Sequence, residues 1–128
     1  PAALSDRERF NAEVEEVRTK LREGRNYMLD RLRQMRFVVP NAPGGVFVFP
    51  KVPDNLNLTR PEIPGVVVPP DIELTYSERF AYHALSYGVA IVPGVDLGSA
   101  DHFRLPFCMD RAEIEQGLDK LQMALEAA

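Results

Sequence analysis

The sequence predicts an α+β fold in two layers: a small, largely antiparallel sheet with helices packed on one face and a long N-terminal helix. Three observations lead there. Apolar residues recur at helical spacing near both ends of the chain. Between them lie short apolar runs bounded by proline and glycine, the pattern of strands and turns. The whole is 128 residues, which fits one domain with a core of its own.

The first element is the long helix. Ser5 and Glu8 have the spacing of a capping box, the serine serving the third helical N–H and the glutamate reaching back. Phe10, Val14, Val17, Leu21, Met28, Leu32 and Met35 then form one stripe on one helix face. Helix from Asp6 to about Met35 would be about 45 Å long. A compact domain of this size has a radius of gyration of only about 14 Å. The helix is therefore expected to overhang its own domain unless Gly24 bends it. Gly24 falls on the stripe, where it either admits a neighbouring backbone or weakens the helix.

Strands and turns follow. Phe37 to Val39 is a short strand candidate, and Asn41 to Gly45 is turn chemistry, with Pro43 and Gly44 suited to the centre of a type II turn. Val46 to Phe49 is apolar throughout, so these two strands are expected to pair as a hairpin. Lys51 to Tyr76 holds Pro53, Pro61, Pro64, Pro69 and Pro70. Such proline density excludes helix and central strand and leaves an extended loop with a short edge strand at Val66 to Val68. Ser77 is expected to cap a helix through Phe80, Ala81, Ala84 and Leu85, closed by Gly88. Val89 to Val92 is a second all-apolar strand, broken by Pro93-Gly94, and Phe103 to Phe107 is the last. Asp110 and Glu113 open a final helix with the stripe Ile114, Gly117, Leu118, Leu121 and Leu125.

The all-apolar strands bear on function. Both of their faces are expected to be buried, yet the helices supply cover for one face only. Phe103-Arg104-Leu105-Pro106-Phe107 alternates and sets Arg104 opposite the phenylalanines. If the phenylalanines face the helices, Arg104 points to the uncovered face, where a guanidinium wants a carboxylate or phosphate partner.

Composition narrows the functional classes. With 15 basic against 19 acidic side chains, the net charge of -4 argues against nucleic acid, which needs a concentrated basic surface. No apolar stretch approaches the ~18 residues of a membrane span, and no signal peptide opens the chain. The single cysteine, Cys108, excludes an internal disulfide and suits a reducing compartment, so a cytoplasmic location is expected. Flanked by Phe107 and Met109, it reads as an inert thiol. His83 and His102 lack a ligand set at metal-binding spacing. Glu15, Glu16, Asp110 and Glu113 are explained by helix surfaces and capping.

Several motifs share one order along the chain. After the long helix come Pro-Gly-Gly-Val-Phe-Val-Phe-Pro at Pro43 to Pro50 and a Ser-Glu-Arg-Phe helix start at Ser77. Gly-Val-Ala-Ile-Val-Pro-Gly at Gly88 to Gly94, Phe-Arg-Leu-Pro-Phe at Phe103 to Phe107 and a closing amphipathic helix complete it. In this order the chain resembles the C-terminal small domain of fold-type I, pyridoxal-phosphate-dependent aminotransferases of class I and II. The resemblance implies that Arg104 holds the α-carboxylate of the substrate. It further implies amino-group transfer between an amino acid and a 2-oxo acid. Pyridoxal 5'-phosphate would be bound mainly by a large domain of the same polypeptide, in a homodimeric parent. Two features depart from the family: the loop between Gly94 and Arg104 is short, and residues 51–76 look like a proline-rich insertion.

The family's cofactor forms an imine with a large-domain lysine preceded by small hydroxylated residues. Lys20, Lys51 and Lys120 have no such context, and the chain opens at Pro1 without Met. Residues 1–128 are therefore expected to be a fragment, inactive alone. Two alternatives stand beside transamination: a lyase or decarboxylase with the same small domain, and a non-catalytic sensing or oligomerisation module of a regulator.

Overall fold

Helix α1 (Ala2–Gln34) opens the computed structural model, which describes residues 2–40, 45–59 and 62–128. It starts upstream of Asp6, because Ala2, Ala3 and Leu4 are strong helix formers. Ser5 thus lies inside the helix instead of capping it. Its 33 residues span about 50 Å. The overhang expected from the sequence is there: Met28, Leu29 and Leu32 are buried, whereas Phe10 and Val17 stand exposed. Gly24 is buried, and a Cβ on it would come 3.1 Å from the Phe107 carbonyl oxygen and 3.3 Å from Ile114 Cδ1. Close approach, of the two roles foreseen, is the one this glycine serves. The helix ends in a Schellman motif, with Phe37 N–H donating to Leu32 O and Arg36 N–H to Arg33 O. Arg36 takes the left-handed position at φ 70°, where glycine is usual.

The sheet has three antiparallel strands in the order β1-β3-β2: β1 (Phe47–Val48), β2 (Val92–Pro93) and β3 (Phe103–Pro106). The β1–β3 register extends beyond these bounds, since Phe107 N–H donates to Val46 O, Phe103 N–H to Pro50 O and Val52 N–H to Asp101 O. Pro50 and Pro106 lack the N–H that would complete the ladder, so the strands are shorter than their apolar runs. Pro93 is accommodated because β2 is an edge strand, and a 3-10 turn (Gly94–Leu97) follows it. The strand expected at Phe37 to Val39 reduces to one bridge between Val38 and Lys51. The turn expected at Pro43-Gly44 lies outside the described residues.

Helix α2 (Tyr76–Ser86) is capped two residues before the expected Ser77. Thr75 Oγ1 accepts from Glu78 N–H while the Glu78 carboxylate accepts from Thr75 N–H, so the Thr-x-x-Glu spacing wins. Ser77 is instead buried in the first turn, its N–H donating to Ala100 O. Helix α3 (Arg111–Glu126) buries Ile114, Leu118 and Leu121 as its stripe predicts. The core is centred on Phe37, Phe80 and Phe103, whose ring centroids lie 5.4–6.2 Å apart, with Leu32 and Leu121 fully enclosed beside them.

Two further expectations need correction. The all-apolar strands are not buried on both faces, because helices cover only one; Phe47 is 41% and Val92 43% exposed. No edge strand forms at Val66 to Val68, where Ile63 and Val66 bridge across a turn through Gly65 at φ 81°. The long connection is nonetheless anchored at its start. Val52 is fully buried, Leu56 and Leu58 pack on the core, and Tyr76 Oη donates to Pro53 O and accepts from Leu56 N–H. The α+β architecture inferred from the sequence is the one observed.

Candidate functional site: Arg104 on the open sheet face

Strand β3 sends Phe103 and Leu105 into the core and Arg104 to the opposite face. Val92 is its neighbour on β2. On β1, Phe47 pairs with Pro106, two residues along the same face, which makes Phe47 and Arg104 diagonal neighbours. The Arg104 guanidinium carbon lies 4.3 Å from the Phe47 ring centroid. Its Nε is buried without a hydrogen-bond partner. Among the described residues no carboxylate pairs with it, although Arg31 meets Asp119 at 2.8 Å and Arg111 meets Glu115 at 3.0 Å. A buried, unmatched donor on a cation costs stability unless something outside these residues supplies an acceptor. A guanidinium in this position is chemically able to donate charge-assisted hydrogen bonds to a carboxylate or phosphate.

A second stack lies on the same diagonal of β1 and β3. The Phe49 and His102 rings are 5.2 Å apart and tilted by only 14°. His102 Nδ1 is 2.9 Å from Asp101 Oδ1 and 2.7 Å from Ser99 Oγ, and the Ser99 hydroxyl donates to Asp101. Hydrogen bonds from His102 first, then Ser99, hold the Asp101 carboxyl below the usual carboxylate range. Serine and carboxylate meet the same ring nitrogen, so Ser99 and Asp101 do not stand on opposite sides of the ring as a Ser-His-Asp triad requires. The cluster fastens the turn that leads into β3. A Cβ at Gly94 would lie 2.7 Å from His102 O and 2.8 Å from Phe49 Cζ, so only glycine fits against it. His83 Nε2 is 2.6 Å from Ala124 O and joins α2 to α3.

Residues for the imine expected of the parent protein do not come together here. Lys20 pairs with Glu16 on the helix surface, Lys51 with Asp54 and Asp101, and Lys120 runs along Gly88. Their surroundings do not fit pyridoxal phosphate. Among the described residues no three His, Cys, Asp or Glu side chains are grouped to hold a metal, and no helix is long and apolar enough to cross a membrane. Cys108 is exposed.

Alternation along β3 was enough to single out Arg104 in the sequence. Phe47 was missed, because an all-apolar run hides which of its residues face outward. Pairing β1 with β3 would have revealed it, since the register then brings Phe47 beside Arg104.

Known structures share this fold. An aromatic aminotransferase from Pyrococcus horikoshii superposes with a TM-score of 0.73 at 24% identity, over 94% of this chain and 28% of its own. For an aspartate aminotransferase tetra mutant from Thermus thermophilus the values are 0.70, 25%, 95% and 29%. For an α-aminoadipate aminotransferase, also from Thermus thermophilus and complexed with N-(5'-phosphopyridoxyl)-L-leucine, they are 0.68, 26%, 92% and 28%. The chain thus spans under a third of the length of these relatives. Among curated proteins nothing matches it. At the level of sequence family the match is to aminotransferase class I and II over residues 1–121, nearly the whole chain, and to that family the chain belongs.

Proposed function

We propose that this chain is the substrate-closing small domain of a pyridoxal-phosphate-dependent aminotransferase, with Arg104 receiving the α-carboxylate of an amino acid or 2-oxo acid. The observation that supports the reading is the buried Nε of Arg104, without a hydrogen-bond partner among the described residues, on a sheet face that none of the described helices covers. A carboxylate matches it through two parallel charge-assisted hydrogen bonds, which orient the substrate as well as bind it. The large domain of the same polypeptide covers this face and supplies the cofactor site, including the lysine that these residues lack. The parent is a cytoplasmic homodimer.

The test is product analysis. The full-length polypeptide, loaded with cofactor and given a panel of amino acids with 2-oxoglutarate, is expected to yield matching 2-oxo acid and glutamate in equal amounts. Carbon dioxide or an elimination product without glutamate would assign a decarboxylase or lyase instead. No turnover and no bound cofactor would point to a regulator. The 128-residue chain alone is expected to give no stoichiometric, borohydride-trappable adduct at a defined lysine.

We also infer that residues 51–76 are an insertion of two parts, an anchored start and a peripheral tip. Val67 at the tip is 89% exposed. Because loop closure depends only weakly on length, replacing Glu62 to Pro70 by a short Gly/Ser linker should change stability by no more than about 0.5 kcal/mol. A collapse of the melting temperature of the full-length protein would make the tip structural.

A further inference from the structure

We propose that Phe47 is a positioning residue for Arg104: its ring face fixes the plane of the guanidinium and so aims the carboxylate-binding edge. The inference rests on the reading of Arg104 given above and names the device that holds it ready. An arginine on a strand is long and rotamer-rich, and the freedom it loses on binding is subtracted from affinity. A resident carboxylate would order it but would also compete with the substrate. An aromatic face avoids that conflict, because it attracts the cation through the ring quadrupole and leaves the in-plane N–H donors free.

The geometry meets each requirement. The register of β1 on β3 sets Phe47 on the diagonal from Arg104, and the guanidinium carbon sits 4.3 Å from its centroid. Phe47 stays 41% exposed at the open face instead of joining the core. Nε is buried and bonds to nothing among the described residues, so the ring of Phe47 and not a resident acceptor lies against the guanidinium. The Phe49–His102 stack one step along the same diagonal braces the strand from which Arg104 projects.

The experiment uses the full-length enzyme with its best amino acid and the matched decarboxylated amine. Phe47→Leu keeps apolar volume and loses the ring face; Phe47→Tyr keeps the ring. Leucine is expected to raise the amino-acid KM about three- to thirtyfold, with kcat and the melting temperature little changed. Tyrosine should restore the wild-type KM, the amine should be indifferent, and Phe47→Leu should add nothing in an Arg104→Ala background. A full additional loss in that background, equal loss for the amine, or no rescue by tyrosine would overturn the proposal and leave the Arg104 reading standing. An Arg104→Ala enzyme that loses nothing would take down the reading of Arg104 itself.

Discussion

Arg104→Ala in the full-length polypeptide is expected to lower kcat/KM for its amino-acid substrate about 30- to 3,000-fold. The range follows from the cost of leaving one partner of a desolvated, hydrogen-bonded charge pair alone, about 2–5 kcal/mol. It applies because the environment of Arg104 is already half desolvated: Nε is out of contact with water and the ring of Phe47 covers one face. Arg104→Lys should recover only part of the loss, since a point charge with rotating donors cannot reproduce two parallel bonds. The loss should be confined to substrates that carry the carboxylate. A matched amine has no partner for the guanidinium to lose, so its kcat/KM should hardly move. Cofactor occupancy should also survive, because on the proposed reading the phosphate and imine contacts belong to the large domain. Equal losses for amino acid and amine would mean that Arg104 supports the fold. A loss below about threefold would make it an ordinary surface arginine.

What could be read from the sequence and what could not divide along physical lines. The helices were legible because each has a long apolar stripe: Ile114, Leu118 and Leu121 are buried as their spacing requires. Their ends were less so. Thr75 and Ser77 are both competent caps, and only the reach of Glu78 back to Thr75 decides between them. At the other end of α1, Ala2 to Leu4 extend the helix past a serine that would cap well if the chain before it were not helical. Three of the five expected strands are present and two, at Phe37 to Val39 and Val66 to Val68, are not. The lengths of those present were not legible, because Pro50 and Pro106 interrupt the ladder at positions that side-chain pattern does not weigh. Arg104 stood out as one polar residue in an alternating strand. Phe47 and Phe49 did not, since their role depends on which strand lies next to them, and that partner, β3, is more than fifty residues away in the chain.

The largest loss of stability is expected at Phe103, on the same strand as Arg104 and facing the other way. Its side chain is fully buried, 5.5 Å from the ring of Phe37 and 5.4 Å from that of Phe80. Phe103→Ala removes the ring that joins Phe37, in the segment after α1, and Phe80 of α2 to the sheet. The surrounding backbone is tied by Pro50 O to Phe103 N–H and by His102 O to Gly94 N–H, so it cannot close over the space. A buried phenylalanine cut to alanine costs about 3–5 kcal/mol, toward the upper end where the site cannot collapse. For a domain of this size that corresponds to a fall of about 10 °C or more in the melting temperature of the domain within the full-length protein. Phe103→Leu, which keeps most of the volume, should lose less than half as much. The kinetic signature should also differ from that of Arg104→Ala. Well below the melting transition the Phe103 variant should lose activity on amino acid and amine alike, because a displaced β3 disturbs the whole face and not one hydrogen-bonded pair. A melting temperature within about 3 °C of wild type would show that the core can repack around this position. A loss selective for the amino acid would mean that Phe103 acts mainly by holding Arg104 in register.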